Sequence, residues 1–390
     1  MTDPAHLAEL ATQELELLVA FDTTSRRSNL ELVEYAEQKL AACGAVMRRV
    51  ANADGSKANL IARIGPELDG GVLLSGHTDV VPVDGQAWTS DPWVLTRRDD
   101  RLYGRGAADM KAFLALGLAT APDFAAGKLK RPVLLALSYD EEIGCLGAPS
   151  LIADLVRIGP QPAVVIVGEP TSMETVSGHK GIATFKVTVT GKEAHSSLTH
   201  LGVSAIMEAA KLIAALSALA ERLEGDADPA SPFRPKGASL TIGQIHGGTA
   251  VNILARECVF AFDLRAPPGI DVHQVLKPVF DQAARLDAEL KARAPEAGVR
   301  IEQRSQTSPL RPEADGAAEL LARRLAGGNG AARVVSYAAE AGQFQDAGYS
   351  TVICGPGSIE QAHQADEYID VSQIERGAAF MTRLVEHLAQ

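Results

Sequence analysis

The apolar positions in the first part of the chain predict helices that alternate with short buried strands. Two amphipathic helices are expected at residues 5–20 and 29–43, where leucines recur at helical spacing. A third helix is expected from Asp109 to about Thr120. Short apolar runs predict strands at 46–50, 59–64, 72–75, 132–137 and 163–167. This alternation is typical of an α/β domain, in which helices cover both faces of a sheet.

The pattern changes near Gly178. From 181 to 190 polar and apolar residues alternate with a period of two, which predicts a strand with one exposed face. A helix at 203–223, two strands around the Gly247-Gly248 turn, a helix at 271–294 and a strand at 299–306 follow. The order β-α-β-β-α-β is that of a ferredoxin-like α+β domain. We therefore predict one domain formed by 1–179 and 307–390, with a second domain, 180–306, inserted into it.

Composition and charge restrict the class of protein. The 390 residues are 46% hydrophobic and 22% charged, as in an ordinary globular protein, and the formal net charge is −12. Because no basic tract is present, a nucleic-acid partner is not expected. We also expect no signal peptide and no membrane span, because no window approaches ~20 apolar residues. The cysteines are far apart and form no CxxC pair, which favours a reducing cytoplasm over a disulfide framework.

Histidine and carboxylate side chains recur where the predicted strands of the first domain end. Open α/β sheets place their functional sites at this edge. The stretches that contain these side chains are GHTDVVP, GRGAADMKA, SYDEEIGC, VGEPTS and the loop around HQADEY. Their polar members are His77, Asp79, Asp109, Asp140, Glu141, Glu142, Glu169 and His363.

Each of these residues also has an ordinary interpretation. Asp109 could cap the helix that follows it, the three consecutive acids could form a solvated loop, and His363 could be a surface residue. Taken together, these residues favour a catalytic site over the ordinary interpretations. Two histidines alone cannot complete two four-coordinate metal sites. Two sites become possible if one carboxylate bridges both metals and each metal binds one further carboxylate. Nitrogen and oxygen ligands without thiolate suit Zn²⁺, Co²⁺ or Mn²⁺, so the set predicts a two-metal hydrolase.

The motifs named above, in this order, resemble the M20 family of metallopeptidases and deacylases. The resemblance extends over nearly the whole chain and includes IHGGTAVNI and CGPGSIEQAH. It implies a zinc-binding α/β domain, with a mixed sheet and helices on both faces, and an inserted lid or dimerisation domain. It also implies a homodimer that forms through the inserted domain. The implied activity is removal of the acyl group from a small-molecule N-acyl amino acid.

The resemblance also implies a ligand set for two divalent metal ions, Zn²⁺ above Co²⁺ or Mn²⁺. Asp109 would bridge the two ions. His77 and Glu169 would complete one site, and Glu142 and His363 would complete the other.

Two acids would act beside the metals instead of binding them. Glu141 is expected to be the general base that takes a proton from water and returns it to the leaving amine. Asp79 is expected to orient the ring of His77, because residues two apart in an extended chain point the same way. No role is assigned to Asp140.

The resemblance places further functional residues in or near the inserted domain. His195 would stabilise the oxyanion in the partner subunit's site, and Asn252 and Arg265 would hold the substrate carboxylate. Gly355 would let the backbone approach the ligand closely.

Among N-acyl amino acids, the resemblance favours N²-acetyl-L-ornithine as the substrate, cleaved to L-ornithine and acetate in arginine biosynthesis. Ala339 stands where the most similar members of the family commonly have threonine, and this difference could alter recognition of the amino-acid side chain. The alternatives are another N-acetyl amino acid, succinyl-diaminopimelate or a dipeptide. A non-catalytic binding protein is the alternative from a different class, although retention of every ligand and of Glu141 argues against it.

Overall fold

The computed structural model describes residues 1–328 and 330–390, which fall into two compact units. The first unit contains Met1–Gly178, Leu310–Val334 and Ala339–Gln390. The second contains His179–Pro309 and Val335–Ala338. The sequence predicts a domain of 1–179 and 307–390 with an inserted domain of 180–306. That these segments are separate domains stays a prediction.

The first unit contains helices and strands both before and after the second unit in the sequence. From the N-terminus they are α1 Pro4–Val19, α2 Leu30–Ala42, β1 Val46–Ala51, β2 Ala58–Ile64, β3 Gly71–His77, β4 Thr96–Arg98, β5 Arg101–Tyr103, α3 Lys111–Ala126, β6 Val133–Ser138, α4 Ala148–Arg157, β7 Pro162–Val167 and β8 Val176–His179. The second unit supplies β9 Gly181–Thr190, α5 Ala205–Gly225, β10 Ser239–Gly247, β11 Glu257–Ala266, α6 Val272–Arg293 and β12 Gly298–Thr307. The chain ends with α7 Ala317–Ala326, β13 Arg333–Val335, α8 Ala341–Asp346, β14 Ser350–Ile353, β15 Tyr368–Asp370 and α9 Val371–Ala389.

The first unit is built on a mixed sheet whose strand order is β1-β2-β6-β3-β7-β14-β8-β13. The four central strands β6, β3, β7 and β14 are parallel, and β1 and β2 pair antiparallel at one side. Strands β3 and β6 are buried along their whole length, as expected of parallel strands whose two faces are both covered. The predicted α/β class is thus confirmed, and the carboxyl ends of four strands meet at one edge.

The helix α3 is buried on nearly every side because it packs against α1 and α9 as well as the sheet. Its apolar residues Phe113, Leu116 and Phe124 belong to one core with Leu15 of α1 and Phe380 of α9. This helix begins at the loop that contains Asp109, so a large core fixes the position of that loop.

The second unit is an antiparallel sheet with two helices on one face. Its strand order is β10-β11-β9-β12, and β9 alternates strictly between buried and half-buried residues. The apolar face packs against α5 and α6, and within it the rings of Phe185 and Phe262 stack with centroids 5.1 Å apart. The chain order β-α-β-β-α-β confirms the predicted ferredoxin-like fold.

None of the helices in the described residues combines the length and the apolar character that a membrane-spanning helix needs.

Candidate metal centre

The predicted ligands in the first unit come together at the carboxyl edge of the parallel strands. His77 is the last residue of β3, and Glu142 lies in the loop that follows β6. Glu169 lies two residues after the end of β7. Because β3 lies between β6 and β7 in the sheet, these strand ends place His77 between the two glutamates.

The carboxylate of Asp109 lies between the two histidines. Its Oδ1 is 3.0 Å from Nε2 of His77, and its Oδ2 is 3.3 Å from Nε2 of His363. Nε2 of His363 is also 2.9 Å from Oε2 of Glu142, and Nε2 of His77 is 3.9 Å from Oε1 of Glu169. This is the arrangement that a shared carboxylate requires. The helix-cap interpretation of Asp109 is wrong, because Met110 occupies the N-cap position of α3.

Donor atoms in this cluster fit divalent cations. One ligand atom from each of His77, Glu141 and Glu169 lies within 4.8 Å of the others, and the same holds for His77, Asp109 and Glu142. Oε1 of Glu142 and Oε1 of Glu169 are buried and have no hydrogen-bond partner. Leaving a buried carboxylate oxygen unpaired is costly, so these atoms are suited to bind a cation. The solvated-loop interpretation is wrong for Glu142, whose side chain is only 5% exposed.

The protonation of the cluster reflects burial and its dense charge. Burial raises the pKa of Glu141 to about 8 against the opposing charge of His77, with Glu142 and Asp109 adding to the rise. Burial and the charge of Asp109 raise the pKa of Glu142 to about 7. Hydrogen bonds to Asp109 and Glu142 raise the pKa of His363 to about 10. Burial and neighbouring acids also raise the pKa of Glu169 well above its usual value.

These shifts predict a pH-dependent stability for the metal-free protein. The pKa values of Glu141 and Glu142 rise from 4.5 to about 8 and about 7, and that of His363 rises from 6.5 to about 10. Between pH 6.5 and 8 the folded state therefore binds more protons than the unfolded state, and its stability falls as pH rises. We expect the Tm of metal-free protein to fall across this window in a calorimetric scan. Metal-loaded protein should show a flatter profile, because cations stabilise the ionised carboxylates; parallel profiles would contradict the assignment.

Asp79 holds the loop that carries the acids. Its carboxylate accepts hydrogen bonds from the backbone N–H groups of Glu141 (3.1 Å) and Glu142 (3.3 Å) and from Oγ of Ser25 (2.6 Å). Nδ1 of His77 lies 2.8 Å from the carbonyl oxygen of Asp79 and 3.7 Å from Oδ1 of its carboxylate. Asp79 therefore contacts the ring of His77 and the loop of the acids, and its role in orienting His77 stays a prediction.

Asp140 has a structural partner. Its carboxylate forms an ion pair with Lys57, and the same ammonium donates to the carbonyl oxygen of Ser25. Asp140 adopts a left-handed backbone conformation with φ of 56°, which aspartate tolerates better than most residues. Asp140, the first acid of SYDEEIGC, thus connects the loop to Lys57. It does not belong to the groups of possible metal ligands among the described residues.

A buried acid that the sequence analysis did not single out lies below the ligands. The carboxylate of Glu340 accepts hydrogen bonds from Oγ of Ser75 (2.6 Å) in β3 and Oγ of Ser138 (2.8 Å) in β6. Burial raises the pKa of Glu340. Because Ser75 and Ser138 lie just before His77 and the acid loop, Glu340 ties together the two strand ends that carry the site. Its neighbour Ala339 is fully buried.

Gly355 allows two strand ends to approach each other. A Cβ atom at this position would lie 2.0 Å from the carbonyl oxygen of Gly168 and 2.6 Å from that of Glu169. Gly355 thus packs closely against the backbone that positions Glu169. Its predicted role, to let the backbone approach the substrate, stays a prediction.

We therefore expect Gly355→Ala to displace Glu169 and to weaken metal binding. Since the clash is with backbone, the Tm should also fall, by an amount that corresponds to about 1–3 kcal/mol of overpacking. The control is Gly328→Ala, where no atom lies within 4 Å of an added Cβ. Equal metal affinity in the two variants, measured by isothermal titration calorimetry, would contradict this expectation.

The residues predicted in the second unit lie at opposite ends of its sheet. His195 and Asn252 are neighbours in two exposed loops, where the backbone N–H of Ser196 donates to the carbonyl oxygen of Asn252 at 3.0 Å. Arg265 lies near the far end of β11, and its Nε is 3.1 Å from Oδ2 of Asp263. The seven residue steps from Cys258 to Arg265 span about 23 Å of strand. Within one chain the structure therefore does not bring Arg265 together with His195 and Asn252.

Comparisons with known proteins agree with this fold. The model of peptidase family M20/M25/M40 matches residues 73–387. Acetylornithine deacetylase of Myxococcus xanthus is 37% identical over 95% of each chain, and that of Edwardsiella ictaluri (strain 93-146) is 35% identical over 86% of this chain and 84% of its own. Human carnosine dipeptidase 1 superposes with a TM-score of 0.77 at 19% identity, covering 99% of this chain and 98% of its own.

A solved Bacillus subtilis protein, described as a dinuclear metal binding peptidase from the M20 family, also shares the fold. Its TM-score is 0.58 at 15% identity, with 97% of this chain and 99% of its own covered. The fold and the ligand cluster define a metal-dependent hydrolase that acts on amide bonds. The chain belongs to peptidase family M20/M25/M40.

Proposed function

We propose that the chain removes the acyl group from an N-acyl-L-amino acid, and that the substrate is N²-acetyl-L-ornithine, cleaved to L-ornithine and acetate in arginine biosynthesis. The observation that carries the reaction class is the Asp109 carboxylate, which faces one histidine with each oxygen and has Glu141 and Glu142 nearby. The choice of substrate rests on the similarity to acetylornithine deacetylases, which are 35–37% identical over most of the chain. A cytoplasmic location fits this pathway.

The proposed cofactors are two divalent cations, Zn²⁺ in preference to Co²⁺ or Mn²⁺. His77 and Glu169 would hold one, His363 and Glu142 the other, and Asp109 would touch both. When bound, such cations polarise a carbonyl group and lower the pKa of water.

Glu141 is the proposed proton carrier. One of its carboxylate oxygens lies within 4.8 Å of ligand atoms of His77 and Glu169, so the group can reach water beside the proposed cations, accept its proton and return it. Its Oε1 accepts a hydrogen bond from the thiol of Cys145 at 3.2 Å, and its backbone N–H is held by Asp79. The carboxylate is therefore fixed in orientation, as a general base must be. It takes the proton from the attacking water and delivers it to the amine as the amide bond breaks.

We further propose a homodimer in which His195 and Asn252 of one protomer complete the site of its partner. His195 would stabilise the oxyanion, and Asn252 and Arg265 would hold the substrate carboxylate. The separation of Arg265 from the other two along β11 supports this arrangement, because one chain cannot present all three to one small molecule.

The surface of the second unit supports the proposed dimer. Strand β10 is at the edge of its sheet and is mostly exposed, so its backbone is open to pairing. Large apolar side chains are exposed on the same strand, on the first turn of α5 and in the adjoining loops. They are Leu198, Leu201, Ile206, Met207, Ile245, Val251 and Ile253.

The dimer is tested with Met207→Lys combined with Ile245→Glu. We expect light scattering to give twice the 41.0 kDa chain mass for the unsubstituted protein and a single chain mass for the variant. Turnover should fall with dissociation. The control is Leu320→Lys, which charges an exposed leucine of α7 in the first unit. A monomeric variant with full turnover would refute the shared site.

The substrate is tested by comparing kcat/KM across a panel. The panel contains N²-acetyl-L-ornithine, N-acetyl derivatives of other basic and neutral amino acids, succinyl-diaminopimelate and dipeptides. We expect acetylornithine to rank first. If it ranks far below another compound, the substrate is wrong while the reaction class stands; if no compound is hydrolysed by metal-loaded protein, the reaction class itself is wrong.

A further inference from the structure

A second buried acid, Glu367, is bonded to the loop that ends in Asp109. Its carboxylate accepts four hydrogen bonds: from Nη1 of Arg105 (2.7 Å) and from the backbone N–H groups of Gly106 (3.0 Å), Ala108 (2.9 Å) and Asp109 (3.0 Å). Each oxygen accepts two of them. The side chain is only 1% exposed. A carboxylate with all its acceptor sites occupied fixes the backbone of this loop.

Further hydrogen bonds connect Arg105 to the loop that contains His363. Nη2 of Arg105 donates to Oε1 of Gln86 at 2.5 Å, and Nε2 of Gln86 donates to the carbonyl oxygen of His363 at 2.9 Å. Arg105 is as buried as Glu367, and its guanidinium lies 5.1 Å from the ring of Trp88. We call Glu367, Arg105 and Gln86 the Glu367 network.

An independent contact joins the same two loops. Asp366 accepts hydrogen bonds from the backbone N–H and the hydroxyl of Thr89, both at 2.9 Å. The segment around Gln86 is thereby attached twice to the loop that contains His363. This loop needs such attachment, because the His363 side chain is 53% exposed and its backbone has a φ of 63°.

We propose that the Glu367 network positions the metal centre: Glu367, Arg105 and Gln86 set the position of Asp109 and His363 relative to each other. These are the two ligands that no strand of the main sheet places. His77 ends β3, while Glu142 and Glu169 closely follow β6 and β7. The inference rests on the proposed two-cation centre and deepens it by assigning the network to the site formed by Asp109, Glu142 and His363.

The charge of the network suits a positioning role. Glu367 and Arg105 form a buried pair with no net charge, so they order the loop without adding to the negative charge of the ligands. Glu367→Gln would leave the guanidinium of Arg105 buried without a charged partner and would keep only one of the two oxygens that accept from the loop. Outer partners of metal ligands typically contribute about 10–100-fold to metal affinity.

The experiment is a Co²⁺ titration of metal-free protein, followed by calorimetry and by the visible absorption of bound Co²⁺. We expect two binding events in the unsubstituted protein. In Glu367→Gln the event at the site that contains His363 should weaken by about 10–100-fold and the Co²⁺ spectrum should change, while the other event should weaken less, because that site shares only Asp109 with the network. Excess Co²⁺ should restore much of the turnover.

Two further variants make the result specific. Gln86→Leu alters a half-buried side chain, so this variant should fold. It should weaken the same binding event as Glu367→Gln. If Glu367→Gln does not fold, Gln86→Leu alone tests the positioning role. Glu313→Gln is the control, because that carboxylate accepts from Ser350 (2.6 Å) and Gln345 (3.0 Å) in the same unit but far along the chain from the ligands. It should leave both events unchanged.

The outcomes separate the two proposals. Fewer than two events in the unsubstituted protein would refute the two-cation centre. Two events there, with affinities and spectrum unchanged in Gln86→Leu and in folded Glu367→Gln, would overturn the positioning role alone. Gln86 bonds to the His363 loop and to Arg105 but not to Asp109, so equal weakening of both events in Gln86→Leu would also overturn it.

Discussion

Glu141→Gln is expected to lower kcat by about 10³-fold while both cations stay bound, because general acid–base catalysis contributes about 10²–10⁴-fold. Glutamine has the same shape as glutamate but cannot accept the proton of water at neutral pH. The carboxylate of Glu141 takes no part in the ion pairs that join Asp109 to the histidines. KM should change little, since the lost interaction belongs to the transition state.

Metal analysis makes this test discriminating. One oxygen of Glu141 lies within 4.8 Å of ligand atoms of His77 and Glu169, so the competing role for Glu141 is that of a ligand. If Glu141→Gln loses a cation, the ligand role is correct and the base must be found elsewhere. The control is Asp140→Asn in the same loop, whose side chain pairs with Lys57. It should keep most of the turnover.

Asp109→Asn is expected to reduce metal affinity at both sites and to remove most of the turnover. The carboxylate of Asp109 faces His77 with one oxygen and His363 with the other, and an amide provides only one oxygen and no charge. Loss of a ligand should cost at least as much as loss of an outer partner, so we expect affinity to fall by more than about 100-fold at one site or both. Dialysed protein should then contain fewer than two metal ions per chain by mass spectrometry.

The control for this variant is Asp154→Asn. Asp154 is also a well-paired carboxylate of the first unit, with Arg48 at 2.7 Å and Arg157 at 2.9 Å, but it lies in α4 outside the cluster. It should retain both metal ions even if the Tm falls. Full occupancy and full turnover in Asp109→Asn would exclude a bridging role.

The elements that define the fold were predictable because their signals are local. Unbroken apolar runs marked β3 and β6, and strict alternation marked β9. The site was predictable for a related reason: strands that are parallel and adjacent bring their carboxyl ends together, so polar residues at those ends must meet. This reasoning predicts that His77, Glu142 and Glu169 lie together.

The remaining features depend on contacts between distant parts of the chain. Glu340 accepts a hydrogen bond from Ser75, 265 positions away, and Glu367 bonds to Arg105, 262 positions away. No periodicity marks an acid whose partners are so remote. The three short strands β4, β5 and β15 escaped prediction similarly, because each is only three residues long and gains its order by pairing.

Asp79 has contacts that a local rule predicts only in part. Residues two apart in an extended chain point the same way, and Oδ1 of Asp79 does lie 3.7 Å from Nδ1 of His77. Because β3 ends at His77, the backbone carbonyl of Asp79 lies closer to the ring, at 2.8 Å. The carboxylate also accepts from the N–H groups of the acid loop, which no local pattern predicts.

The order of the ligands along the chain has a consequence for biosynthesis. His77, Asp109, Glu142 and Glu169 precede the second unit in the sequence, whereas Glu340, His363 and Glu367 follow it. While the ribosome makes the second unit, the nascent chain therefore holds three acidic ligands and one histidine without the residues that complete the centre. The proposed two-cation centre is therefore complete only after the second unit has been made, so we expect both cations to bind after His363 has left the ribosome.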